Sequence, residues 1–347
     1  MSHPDWGVRC RIFTLDNRRL ELFQLTKMKP VESRNSSSAV PVRNPVGNAS
    51  GIWRRAVTLS VLFGWGFSAI SAISAHAQAL YGATAAGGPG VLSIIDPATG
   101  ALVQNIGPLN DAAGLNYPIT GLAFHPITGA LYGSTGNNPA GTAARLVTID
   151  ITTALVTVVG SFNTGLVNSG GTPSTMADLA FDAAGGLYGV GSIGGPQLFS
   201  INPATAQATV IGSSGLTSTT GGGLAISVAN SYFGTPTASR FGTYDPGTGA
   251  YTDIANPAKP TGGGGYGALD FDGNGILFGL NVGAGSPPPT HLVTINPGNG
   301  RVTAIGASIA SLDAIAFRPG AVPEVNQLIP VLGCVGLGLV LLLRRKA

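Results

Sequence analysis

The sequence predicts an all-β fold, a five-bladed β-propeller, on three observations. A Leu-Tyr-Gly-like strand returns five times, as Leu80-Tyr81-Gly82, Leu131-Tyr132-Gly133, Leu187-Tyr188-Gly189, Tyr232-Phe233-Gly234 and Leu277-Phe278-Gly279. The repeat is about 45 to 57 residues long and holds four short strands, the size and content of a propeller blade. The last repeat consists of one strand, Asp313 to Phe317, while the first repeat lacks that strand. Pairing the two completes the opening blade and closes the ring, which removes exposed sheet edges. A β-helix is the rival fold, and it needs a shorter, stricter period.

Each element follows from its local pattern. First strands read Gly121-Leu122-Ala123-Phe124, Asp178-Leu179-Ala180-Phe181, Gly223-Leu224-Ala225-Ile226, Ala268-Leu269-Asp270-Phe271 and Ala314-Ile315-Ala316-Phe317. Large residues alternate with small ones, so they fall on opposite sheet faces and let neighbouring blades approach. Third strands span Leu146 to Ile149, Leu198 to Ile201, Phe241 to Tyr244 and Leu292 to Ile295. Each ends in Asp or Asn before a turn such as Asp96-Pro97-Ala98-Thr99-Gly100 or Asn296-Pro297-Gly298-Asn299-Gly300. An Asx side chain opens such a turn, Pro presets φ and Gly supplies positive φ. Fourth strands are placed at Ala101 to Ile106, Leu155 to Val159, Ala206 to Ile211, Ala250 to Ile254 and Arg301 to Ile305.

The 347 residues divide into a leader over 1–52, a signal-like segment over 53–77, the propeller over 78–320 and a tail over 321–347. Charged residues make up 10 % and hydrophobic ones 44 %, with 53 glycines, a balance that suits short strands joined by tight turns. The whole chain carries +3, but residues 78–320 hold five basic and ten acidic residues, about −5. That domain has no electrostatic footprint for nucleic acid. Cys10 and Cys334 both lie outside the repeats, so the domain has no disulfide. A propeller of this size has enough core without one.

Both ends carry an address. Trp53-Arg54-Arg55, an apolar run from Ala56 to Ile73, and Ala75-His76-Ala77 before Gln78 form a positive region, a hydrophobic region and an A-x-A cleavage site. Those are the components of a secretory signal; an uncleaved membrane anchor is the other reading. A start at Met28 would shorten the leader. At the far end, Val322-Pro323-Glu324 precedes a 16-residue apolar run from Leu328 to Leu343, closed by Arg344-Arg345-Lys346. The run is short beside the ~20 residues that comfortably span a bilayer, and its basic cap favours the cytoplasmic side. Over these last residues the chain resembles the PEP-CTERM tails of Gram-negative bacteria, although Val325 stands where that motif has a second proline. The resemblance implies recognition by an exosortase, at least transient membrane anchoring, and display at the cell envelope or surface in exopolysaccharide-producing bacteria. A plain tail anchor is the alternative.

The connections indicate where a partner binds. First-to-second and third-to-fourth turns are short, whereas the second-to-third connection Ser134–Ala144 and the fourth-to-first connections Ser161–Met176, Ser213–Gly222 and Ala255–Tyr266 are long. In a four-stranded blade the two long classes emerge on one side, and decorated faces carry function. The expected ligand face therefore surrounds Tyr117, Asn163, Asn168, Lys259 and Tyr266, with tolerated insertions as the plain alternative.

Chemistry-bearing motifs are sparse. His125 and His291 have no partner at metal spacing, and no zinc, P-loop or nucleophile-elbow motif occurs. Asp270 breaks the alanine pattern of the first strands and opens Asp270-Phe271-Asp272-Gly273-Asn274-Gly275. The spacing of Asp270, Asp272 and Asn274 resembles the start of a calcium loop, but the twelfth position holds Asn281 in place of the bidentate Glu. Calcium is the one cofactor this suggests; a polar hairpin turn is the alternative. Asp178 and Asp313 are further acids on first strands. The expected function is a monomeric, non-enzymatic surface propeller that binds extracellular polysaccharide or a surface protein. The alternative is an exported metal-dependent lactonase- or lyase-like enzyme, which needs convergent carboxylates, Asn or His near the axis.

Overall fold

The computed structural model describes residues 78–85, 88–136, 141–162, 175–191, 195–217 and 222–320. Outside them lie the leader, the signal-like segment with Ala75 and Ala77, the tail with Pro323, Glu324, Arg344 and Arg345, and the loop residues Asn163 and Asn168.

Twenty strands fill the described residues, and no helix is present among them. In chain order β1 (Leu80–Thr84), β2 (Val91–Ile95) and β3 (Leu102–Pro108) are followed by β4 (Ile119–Phe124), β5 (Leu131–Thr135), β6 (Arg145–Ile149) and β7 (Val156–Ser161). The third repeat forms β8 (Met176–Phe181), β9 (Leu187–Gly191), β10 (Gln197–Ile201) and β11 (Ala208–Ser213). Next come β12 (Leu224–Ile226), β13 (Tyr232–Gly234), β14 (Phe241–Tyr244) and β15 (Tyr251–Ala255). The last repeat gives β16 (Gly265–Phe271), β17 (Leu277–Val282), β18 (Thr290–Ile295) and β19 (Val302–Ala307), and β20 (Leu312–Phe317) ends the domain.

The strands form five four-stranded antiparallel sheets, and the first has the order β20-β1-β2-β3. β20 pairs with β1 as expected, with Leu80 opposite Phe317 and Ala83 opposite Ala314. The ring thus closes by a strand from the end of the domain. Large residues of the first strands pack between blades: Tyr81 meets Phe124 edge-on at 5.3 Å, and Phe278 meets Phe317 at 4.7 Å. Small residues opposite them, such as Ala314 and Ala316, are fully buried.

The fourth strands begin one to two residues later than the sequence suggests. The preceding turn closes first: the N–H of Asp96 donates to the Ala101 carbonyl, and Gly100 takes φ +76°. Every third-to-fourth pairing then carries a bulge, which consumes one further residue. The extra twist brings the end of an outer strand against the turn of the next blade. At Gly212 a Cβ would stand 1.9 Å from the Thr248 carbonyl oxygen, and at Gly306 it would stand 2.1 Å from that of Thr99. Glycine at these two bulges lets adjacent blades touch through main chain.

Candidate functional site

The inner strands β20, β4, β8, β12 and β16 each have one edge without a strand partner, so main-chain N–H groups point at the central axis. Buried donors of this kind need acceptors. Asp178 supplies one. Its Oδ1 accepts from the Leu179 N–H at 2.9 Å, and its Oδ2 accepts from Leu224 at 2.9 Å and Leu269 at 3.1 Å. One fully buried carboxyl group therefore joins three consecutive blades. Burial pushes its pKa well above the usual carboxylate range, and the charge of Asp270 adds to this, while the three N–H donors pull the other way. Asp270 acts likewise between its own blade and the next, its Oδ2 accepting from Phe317 at 2.6 Å and its Oδ1 from Phe271 at 2.8 Å. Burial raises it to about 7, against those two donors.

The suspected calcium loop is a capped β-hairpin. Asp272 Oδ1 accepts from the N–H groups of Asn274 and Ile276, at 2.9 and 2.8 Å, and the Asn274 amide donates to Asp272 Oδ2 at 3.2 Å. Both oxygens of Asp272, like both of Asp270, accept from N–H groups. Asn281, at the twelfth position, lies a strand away at the far end of β17, fully buried. Among the described residues no three His, Cys, Asp or Glu side chains stand close enough to hold one metal ion. His125 caps the β4–β5 turn, its Nδ1 accepting from Ile127 at 3.2 Å, and its ring packs 4.9 Å from Phe181.

The described parts of the two long connection classes share one mouth of the channel. Asn281, where β17 leads into the second-to-third connection, accepts from the Thr261 N–H and hydroxyl of the fourth-to-first loop, at 3.0 and 2.7 Å. It also donates to the Gly265 carbonyl at 2.9 Å. In the first blade Asn116 makes the equivalent tie, accepting from the Gly90 N–H at 2.7 Å and donating to its carbonyl at 2.9 Å. Two aromatic residues expected on this face act as struts rather than as displayed groups. Tyr117 is buried and donates to Asp111 at 3.0 Å; Tyr266 is buried and donates to the Ala258 carbonyl at 2.6 Å. Lys259 lies half-buried in the same loop as Ala258.

A cavity of about 370 Å³ opens at this mouth, lined by Thr120, Gly222, Gly264, Tyr266, Gly267 and Asp313, among others. Thr120, Ala177, Gly267 and Asp313 occupy the same place in four inner strands, and Gly222 holds the equivalent place just before β12. Asp313 is the one charged member of that layer. Burial alone raises its pKa to about 7. Gly267 makes room for it, since a Cβ there would lie 2.8 Å from Asp313 Oδ1. An acid at 313 is plain in the sequence, but nothing in its neighbours there marks it as a site.

The opposite, short-turn mouth holds a depression of about 460 Å³ walled by Phe124, Phe181, Phe271 and Phe317. Val228 at 92 % and Ile127 at 73 % exposure stand on its turns. Both ends of the propeller lie here. Gln78 accepts from the Gly273 N–H, and the Arg318 N–H donates to Ala79 at 2.9 Å.

Residues 106–286 match the family described as DUF6923, a repeat of unknown function. The chain belongs to that family. No curated protein matches it in sequence. Among solved structures it is similar to a protein of unknown function from Bacteroides caccae, at 10 % identity over 69 % of this chain and 98 % of that one, with a TM-score of 0.39. It is also similar to a gluconolactonase from Xanthomonas campestris, at 12 % identity over 69 % and 79 % of the two chains, with a TM-score of 0.40. Likenesses this distant carry no activity to this member of the family.

Proposed function

We propose that this DUF6923 protein is exported and held at the cell envelope, where its propeller works as a non-catalytic binding module for extracellular polysaccharide. The observation that carries the reading is the division of labour between the two rims. The described parts of the long connections lie at one channel mouth, which holds an open cavity, while Gln78 and Arg318 lie at the other. An anchor formed by residues 321–347 would leave from the short-turn side and hold the long-loop rim away from the membrane. The exposed Ile127 and Val228 would then face the anchored side. A metal-dependent enzyme in the channel would draw on the axial carboxylates, whereas Asp178 and Asp270 spend their oxygens on main-chain N–H groups.

A glycan array probed with the full-length chain tests this reading. Retention of one or more polysaccharides, lost on substitution at the long-loop rim and kept on substitution at Val228, is expected. Absence of any retained glycan, or turnover of a lactone substrate, would overturn it. Export is checked by fractionation: the mature chain should start near Gln78 and sediment with envelopes.

A further inference from the structure

We propose that Asp313 is the recognition carboxylate of a site for a protonated amine, and that the polysaccharide held at the long-loop mouth presents that amine on an amino sugar. This rests on the polysaccharide reading above and specifies its ligand. The propeller contains ten acidic residues, all Asp. Asp96, Asp111, Asp150, Asp178, Asp182, Asp245, Asp270 and Asp272 accept hydrogen bonds, and Asp253 pairs with Arg240. Asp313 alone accepts none among the described residues, although it is partly withdrawn from water. A carboxylate so placed is costly until a cation joins it, and none of the residues lining its cavity is basic.

The surroundings select the kind of cation. Asp313 is the one acid among the described residues lining the cavity, which leaves a divalent metal short of ligands. An ammonium group needs only one charged acceptor and two neutral ones. The Thr120 hydroxyl, which donates its own proton to the Met176 carbonyl at 2.8 Å, keeps lone pairs for this. Glycines 222, 264, 265 and 267 expose main chain around the cavity, and Val282 is the main aliphatic wall. With so many glycines the walls are low and the cavity wide and open, which suits a broad sugar ring better than the narrow alkyl stem of a lysine. The volume of about 370 Å³ lies within the range of small-ligand pockets.

The test is calorimetric titration of the detergent-solubilised full-length chain at pH 7 with a chitosan hexasaccharide and with its fully N-acetylated counterpart. The free-amine oligosaccharide should bind at least tenfold more tightly, and Asp313→Asn should erase that difference. Should Asp313→Asn fail to fold, Gly267→Ala, whose new methyl crowds the carboxylate, must show the same loss. Equal affinity for the two oligosaccharides, a difference that survives Asp313→Asn, or no binding of either would overturn the proposal. Glycans without amines retained on the array would leave the polysaccharide reading standing while removing the amine; an array with no retained glycan removes both. A lysine peptide binding in an Asp313-dependent way, with no oligosaccharide bound, would reassign the site to a protein ligand and overturn it equally.

Discussion

Replacing Asp178 by Ala removes the acceptor for three N–H groups, two of which belong to other blades. The N–H groups of Leu224 and Leu269, two buried residues, are then left without that acceptor. A buried donor left without a partner costs about 1–3 kcal/mol, so the two inter-blade donors together forfeit about 2–6 kcal/mol. Release of a carboxyl group whose charge is disfavoured by burial offsets some of this. A net loss of about 3 kcal/mol is expected, inside the span for two stranded donors. Urea unfolding at pH 5, followed by far-UV circular dichroism, measures it as a shift in midpoint. Asp178→Asn provides the control, because its single oxygen can serve Leu224 and Leu269 only by turning its amide toward the Leu179 N–H. Its loss should be about half that of Ala. A loss below about 1 kcal/mol for Ala, or full stability for Asn, would refute the view that this residue ties three blades together.

Three other outcomes follow from the same structure. Asp178, Asp270 and Asp313 have folded pKa values above the ordinary 3.8, the latter two at about 7, so the folded state holds extra protons between pH 4 and 7. Stability from these groups is full below pH 4 and declines as pH rises toward 7, while Asp96, Asp111, Asp150 and Asp245, held low by their turns, lose theirs below pH 4. Melting temperature should therefore peak near pH 4–5, and a maximum at pH 8 would contradict the assignment. Gly212→Ala puts a Cβ 1.9 Å from the Thr248 carbonyl and should cost several kcal/mol, roughly the upper range for overpacking; calorimetric melting within about 2 °C of the parent would contradict the blade contact. Truncation before Leu312 removes β20 and leaves β1 an open edge; the product should aggregate or elute as a multimer on size exclusion, and a stable monomer would show that closure is dispensable.

The ring is legible in the sequence because its determinants are local and repeated. Alternation in Gly-Leu-Ala-Phe fixes which side chains face the neighbouring blade, and the unmatched strand at 314–317 points to its partner at 80–83. The short turns are legible for the same reason, since Asp96 and Asp245 each bind N–H groups two residues on, as an Asx turn requires. Bulges between third and fourth strands leave no such mark. They arise from contact between one blade's outer strand and the next blade's turn, a tertiary demand on Gly212 or Gly306 that the glycine-rich composition hides. The site is legible only in outline. Loop lengths place the two long classes on one face, but Tyr117 and Tyr266 are spent on holding those loops, through Asp111 and Ala258. Likewise the sequence marks Asp270 as the odd acid, whereas it is Asp313 whose lack of partners among the described residues sets it apart. Asp178 and Asp270 meet N–H groups from other blades, and Asp313 meets open space.

The claim that the long-loop mouth is the recognition face is tested most directly by a hydrogen-exchange footprint of the full-length chain with its array-selected glycan bound. Slowed exchange at amides of 264–267 and around 120 and 313, with the turns at 125–129 and 227–231 unchanged, is the predicted pattern. Protection confined to those turns would place the ligand over the phenylalanine-walled depression instead and contradict the account.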